Sequence, residues 1–339
     1  MSSVRHSGRV LAVVCPGQGS QSSGFLGPWL ELPGVRDQLA AFSEMSGTDL
    51  LTHGTTSDAQ TIRDTSVAQP LIVSASLIAL RAVLDGRDPV EVVGVTAGHS
   101  VGELAAAAVA GVLDDSAAVA LVSARARSMA RAAALEPTGM SAVVGGDPAE
   151  VLAAIERDGL YPANVNSAGQ VVAAGALGDL AALAEHPPAR ARVIPLQVAG
   201  AFHTPYMEPA RAEFSTVVAE WAAADPVLPL LSDADGAPYA ASGTRHGTGR
   251  DVLSRLVAQV VAPVRWDLCQ QTLGGMGVTA MIELLPAGVL TGLARRTLPG
   301  VETVAVTSPD DLAAARDLIR RHGPSAGADL GAPIKEAQA

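Results

Sequence analysis

The stretch Val92 to Leu113, VVGVTAGHSVGELAAAAVAGVL, restricts what this chain can fold into more than any other. Its β-branched opening, Val92 to Thr96, predicts a buried strand, and its alanine-rich end has high helix propensity. Between them stands Gly98-His99-Ser100-Val101-Gly102. Strand, G-x-S-x-G, helix is the order of a nucleophile elbow, which lifts a serine hydroxyl above the edge of a parallel sheet. Glycines on either side let neighbouring backbone cross without Cβ clashes. The helix that follows points its free N–H groups at the place where an oxyanion would form. The plain alternative is an ordinary strand-to-helix turn.

Two neighbours of Ser100 have competing readings. Glu103 could be a general base, but Ser100-x-x-Glu103 also has capping-box spacing, and a first-turn carboxylate suits the helix dipole, so structural support is expected. His99 is adjacent to Ser100 in sequence and should point elsewhere, lining the pocket.

The 339 residues are 48% hydrophobic and only 3% aromatic, enough for a large core built from Ala, Val and Leu. The net charge of −11 argues against nucleic acid or anionic membrane as a partner. No apolar run is expected to reach the ~20 residues of a membrane span, and MSSVRHSGRV lacks a signal-peptide apolar region. Cys15 and Cys269 lack metal-ligand spacing, so two free thiols in a reduced cytoplasmic protein are expected, with no metal. Lys335 is the sole lysine.

In chain order, Val10 to Cys15 reads as a strand leading into Gly17-Gln18-Gly19-Ser20-Gln21, a loop whose amides can face a ligand. Residues 35–53 and 67–84 read as helices, and Gln69 on the second is either a satisfied core amide or a site-lining group. On a helix from Asp114 to Leu135, Arg125 falls in the apolar stripe of Leu121, Val122, Met129 and Ala132. A guanidinium there needs an anionic partner. An internal ion pair is the simpler reading, a clamp for a substrate carboxylate the sharper one. Residues 137–197 have the order β-α-β-β-α-β of a ferredoxin-like unit. It would be a subdomain inserted into an α/β-hydrolase-like domain of residues 9–136 and 198–322 with a central parallel sheet. His203 is expected at a strand end, where a general base would stand, though a buried structural histidine is the alternative. His6 and His322 lie near the ends, and His53, His186 and His246 in loop-like contexts. A strand at Val227 to Ser232, a turn-rich loop to Gly249, a helix to Val261 and a strand at Ala280 to Leu284 follow. Residues 323–339 read as disordered.

GQGSQ at 17–21, GHSVGE at 98–103, Arg125, NVNSAGQVVAAG, GAFH at 200–203 and Gln259 before PVRW resemble the malonyl-CoA:acyl carrier protein transacylases, in collinear order from about Val10 to His322. The resemblance implies a Ser100–His203 dyad, with a backbone carbonyl at Gln259 orienting the imidazole. It implies an oxyanion hole from the N–H groups of Gln18 and Val101, and turns the reading of Arg125 to the malonyl carboxylate. Gln69, His99, Asn166 and Phe202 are implied or placed as pocket-lining positions. Ala168 stands where the family commonly has proline. The implied reaction carries malonyl from malonyl-CoA through Ser100 to the phosphopantetheine thiol of an acyl carrier protein, for fatty-acid or polyketide synthesis, with no bound cofactor and a monomer as default. A thioesterase of the same fold is the alternative. An acidic carrier would need a basic patch, for which Arg190, Arg192, Arg295 and Arg296 are candidates.

Overall fold

The computed structural model describes residues 9–239 and 246–323. The expected tail from residue 324 on, His6 and Lys335 lie outside the described residues, as do residues 240–245 of the turn-rich loop. The chain begins with β1 (Val10–Cys15), α1 (Val35–Ser46), α2 (Leu50–Thr55), α3 (Thr65–Leu84) and α4 (Pro89–Val92). Next come β2 (Val95–Gly98), α5 (Gly102–Val109) and α6 (Asp115–Ala133). The middle of the chain forms β3 (Thr138–Gly145), α7 (Pro148–Arg157), β4 (Tyr161–Ser167), β5 (Gln170–Ala176), α8 (Leu177–Glu185) and β6 (Ala191–Pro195). The chain continues through α9 (Glu208–Ala219), α10 (Gly249–Gln259), α11 (Trp266–Gly275), β7 (Val278–Glu283), α12 (Val289–Thr297), β8 (Glu302–Ala305) and α13 (Leu312–His322).

The result is an α/β fold with two sheets. The first is parallel, in the order β2-β1-β7-β8, and the second antiparallel, in the order β4-β5-β3-β6. β1 is paired on both edges, and its two faces are covered by different cores, Leu11, Val13 and Cys15 in one and Ala12 and Val14 in the other, so Leu11 to Cys15 are buried. Cys15 pairs with Gly98 across β1 and β2, which puts the GQGSQ loop and the Ser100 turn side by side at the carboxyl ends of the strands. The antiparallel sheet divides by the two-residue period of its strands. Val143, Val171 and Ala173 pack under α7 and α8, whereas Met140, Ala142, Val172 and Ala174 join the main core.

Several expected elements differ. Asp88 caps Val90 N–H and starts α4, so the strand before the elbow begins at Val95, not Val92. The helix expected over 35–53 breaks at Gly47, in the left-handed region at φ 67°, and Asp49 caps the next helix, which places His53 on α2. Residues 227–232 make only isolated bridges, Leu230 to Thr96 and Leu231 to Pro238, because Pro226 and Pro229 lack the N–H groups a ladder needs. No strand runs up to His203, since β6 stops at Pro195. α3 is, among the described residues, one helix long and apolar enough to cross a membrane, against the expectation of none; here 83% of its apolar window is buried inside the protein.

Candidate active site

Ser100 sits at the turn between β2 and α5 with φ 52°, in the left-handed region that non-glycine residues seldom adopt. A Cβ at position 98 would stand 2.1 Å from the Gly102 backbone, and one at 102 would stand 2.3 Å from the Cys15 carbonyl oxygen. Glycine is therefore required at both. The Ser100 N–H donates to Asp233 Oδ2 at 2.6 Å. The capping box expected from Ser100-x-x-Glu103 does not form: Val101 is the N-cap of α5, without a side-chain cap. Glu103 turns inward instead, accepting from Tyr239 O–H at 2.6 Å.

His203 also has a left-handed backbone, at φ 62°, in a turn held by Thr204 Oγ1 donating to Ala201 O and by Ala201 N–H donating to Thr138 Oγ1. Its Nε2 lies 2.7 Å from Ser100 Oγ and its Nδ1 lies 2.8 Å from the backbone oxygen of Gln259. A carbonyl oxygen only accepts, so Nδ1 carries the proton and Nε2 is left to accept from the serine hydroxyl. Burial, with the Arg125 charge adding to it, pushes the imidazole down to about 3, against the opposing pull of the Gln259 carbonyl. The ring is therefore neutral at pH 7 and able to take a proton.

Arg125 is fully buried. Nη1 donates to Gln69 Oε1 at 2.7 Å, Nη2 donates to Gln259 Oε1 at 2.8 Å, and Nη2 lies 3.4 Å from Ser100 Oγ. Its Nε has no partner. Among the described residues no carboxylate comes within ion-pair distance of it, which removes the internal ion pair as a reading. Burial lowers it to about 10, while Glu103 and Asp233 support its charge, so it remains a cation at pH 7. Arg127 and Arg131 lead elsewhere, to Ser46 O and to Glu213.

A cavity of about 70 Å³ opens beside Ser100, and Gln18, Gln69, His99, Val101, Phe202 and His203 line it. Asn166 does not: its Oδ1 lies 2.8 Å from His99 Nε2, so it holds the ring, and Asn164 from the same strand takes the place on the wall. His99 also packs on Trp266, with ring centroids 5.8 Å apart. Among the described residues the backbone N–H groups of Gln18 and Val101 donate to no protein acceptor. Gln18 Nε2 and Gln21 Nε2 tie the GQGSQ loop to the carbonyls of Arg63 and Ile62, and Arg63 Nη1 reaches Gln197 at 2.5 Å.

Sequence reasoning missed Asp233, Tyr239, Arg63 and the wall residues Leu196 and Val198. Asp233 had one readable signal. It follows an apolar run and opens a turn, the kind of position at a strand's carboxyl end where sites gather in α/β sheets. Of the basic candidates, Arg190 precedes the edge strand β6 and Arg192 lies on it, whereas Arg295 and Arg296 are on α12, which packs near β4. These are opposite edges of one sheet, about 14 Å apart, so the four do not make a single patch.

A family model described as acyl transferase domain matches residues 12–307. The malonyl CoA-acyl carrier protein transacylase of Mycobacterium tuberculosis is 52% identical over 308 residues, covering 89% of this chain and 98% of that protein. The enzyme of the same name from Escherichia coli K12 is 32% identical over 318 residues, covering 91% and 99%. Among solved structures, MCAT from Mycobacterium tuberculosis superposes with a TM-score of 0.84 at 51% identity, covering 91% of this chain and 99% of that one. A type II PKS acyl-carrier protein in complex with its malonyl-transacylase gives a TM-score of 0.82 at 27% identity over 91% and 99%.

Proposed function

The chain belongs to the malonyl-CoA:acyl carrier protein transacylases of the acyl transferase domain family, and from that premise we propose how its residues carry the reaction. It is an acyltransferase that moves malonyl from malonyl-CoA to an acyl carrier protein for fatty-acid synthesis. Polyketide synthesis is a second use of the same step.

Ser100 Oγ attacks the thioester carbonyl while His203 Nε2 takes its proton. The tetrahedral oxyanion rests on the free N–H groups of Gln18 and Val101. As the C–S bond breaks, His203 returns the proton to the CoA sulfur. The phosphopantetheine thiol of the carrier then gives its proton to His203 and attacks malonyl-Ser100, and on collapse the ester C–O bond breaks and Ser100 Oγ takes the proton back from His203, closing a ping-pong cycle. The Gln259 carbonyl takes the place of the usual triad carboxylate in fixing the imidazole. Gln69 and Gln259 aim Arg125, whose guanidinium holds the malonyl carboxylate. The scheme needs no group beyond its two substrates.

The observation that carries this reading is the buried guanidinium with no carboxylate partner, open toward Ser100 Oγ. It disfavours the thioesterase alternative, because hydrolysis of a simple acyl thioester has no use for such a clamp. All of these groups come from one chain, which supports a monomer as the working unit. Buried free thiols at Cys15 and Cys269 suit the cytoplasm. The sheet order β4-β5-β3-β6 supports reading 137–197 as a ferredoxin-like insert in an α/β-hydrolase-like domain of 9–136 and 198–322.

The test is intact-protein mass spectrometry after brief exposure to malonyl-CoA. One malonyl should appear on the wild-type protein and leave when holo carrier protein is added, whereas Ser100→Ala should gain none while keeping its fold. A stable adduct on S100A would remove Ser100 from the mechanism.

A further inference from the structure

Behind the turn that carries Ser100 lies a buried cluster with no part in the chemistry above. Glu103 and Asp233 are 1% and 0% exposed. Both converge on Gln259 Nε2, Glu103 Oε2 at 2.5 Å and Asp233 Oδ2 at 3.3 Å. The same Asp233 oxygen accepts the Ser100 N–H, and Gln259 Nε2 also lies 3.1 Å from the Ser100 carbonyl oxygen. The groups facing the pair are few. Tyr239 O–H donates to Glu103, and the Cys269 thiol lies 3.9 Å from Asp233 Oδ1. Arg125 bonds the far end of the Gln259 amide, and His203 bonds its backbone oxygen. Arg255 stacks over the Tyr239 ring at 5.3 Å and is paired with Asp235.

We infer that Asp233 is a positioning residue that holds the nucleophile in its left-handed turn, and that Asp233 and Glu103 keep one proton between them. The first part follows from the backbone. Ser100 occupies a conformation that persists only where its surroundings over-determine it, and a carboxylate on its own N–H is a strong fixture. Without that acceptor the N–H is left unsatisfied inside the protein, and the turn can relax and carry Oγ away from His203. The second part follows from charge. Two carboxylates and one guanidinium, none directly paired, leave an uncompensated anion in a buried site, and protonating one carboxyl removes it. Burial raises both carboxyls above their ordinary values, and the neighbouring carboxyl raises Asp233 further. The proton belongs to the pair, not to either residue.

This inference rests on the malonyl-transfer reading for one consequence. A malonyl carboxylate on Arg125 neutralises the cation that supports the pair, so loading should make the pair hold its proton more tightly. In alkaline solution the pair loses that proton. Two anions then meet at Gln259 Nε2, whose amide also touches Arg125 and the Ser100 carbonyl, and loading should fall.

The experiment compares wild type, Asp233→Asn, Asp233→Ala and Glu103→Gln across the neutral-to-alkaline range. It follows malonyl-Ser100 formation by rapid-quench mass spectrometry. A parallel series follows labelling of Ser100 by a fluorophosphonate, which needs no malonyl chemistry and so separates this inference from the function reading. Asparagine keeps an oxygen for the Ser100 N–H but cannot share a proton. D233N should therefore stay within about 10-fold of wild type at neutral pH and lose the alkaline fall, as should E103Q. D233A should lose about 100-fold or more at every pH, in both series. Wild-type rates in D233A would overturn the positioning role. An alkaline fall in D233N and E103Q matching that of wild type would overturn the shared proton. Should D233A fail to fold, the rescue by asparagine and the two pH profiles still decide.

Discussion

At the scale of single residues, the site turns on how burial sets charge. Arg125 remains cationic without a carboxylate beside it, so removing it should cost malonyl loading about 2–4 kcal/mol of charge-assisted bonding. Loading from acetyl-CoA, which brings no carboxylate, should suffer far less in Arg125→Ala. Equal losses for both donors would make Arg125 a structural cation. His203 gives a pH signature. Its folded value, pushed down to about 3, lies below the ordinary 6.5. Only the protonated ring is useless as a base, so activity is lost as pH falls through the folded value and is fully present above it. Wild-type loading should therefore show no rise with pH near the ordinary histidine value, between about pH 5 and about pH 8. A one-proton rise there, read from adduct formation, would contradict the buried, neutral imidazole, whereas a fall toward alkaline pH belongs to the Glu103 and Asp233 pair.

At the scale of elements, the turn at 200–204 does two jobs: it holds His203 in the left-handed region and presents Phe202 to the cavity wall. With about 70 Å³ beside Ser100, an α-methyl branch on the acyl group meets an aromatic ring. Overpacking of that kind costs about 1–3 kcal/mol. Malonyl-CoA should be favoured over methylmalonyl-CoA by roughly 10- to 200-fold in kcat/KM, and Phe202→Ser should narrow the gap. Competition between the donors, read by mass on Ser100, measures it, and near-equal labelling of wild type would show that Phe202 does not limit the acyl group. Elements of this kind also explain what could be read in the sequence. The elbow was legible because its glycines, serine and helix formers are adjacent in the chain, and Arg125 because one face of one helix carries it. The element order of 137–197 followed from local periodicity. The segment at 227–232 was not legible, since prolines cut its ladder while its apolar pattern still looks like a strand. Asp233 and Tyr239 act on Ser100 and Glu103 across more than a hundred positions, and no local pattern reports such contacts.

At the scale of the whole molecule, the balance of charge bears on the partner. A chain of net charge −11 that serves an acyl carrier protein needs local cations where an acidic carrier would approach. Arg190 precedes β6 and Arg192 lies on it, and the chain beyond β6 runs through Leu196 to Val198 on the cavity wall. Arg63, tied to Gln197, stands at the same place. Arg190→Glu with Arg192→Glu should raise the apparent KM for the carrier and leave loading from malonyl-CoA alone. Arg295→Glu with Arg296→Glu, at the opposite sheet edge, should do less. If loading and transfer fall together, the β6 arginines serve the fold instead. The antiparallel sheet has one more consequence. One of its faces supplies Met140, Ala142, Val172 and Ala174 to the main core. The region that carries this sheet is therefore not an interchangeable cassette. Grafting a relative's version to change carrier choice would import foreign side chains into the main core at those positions, and a chimera would have to exchange both sides of that seam together.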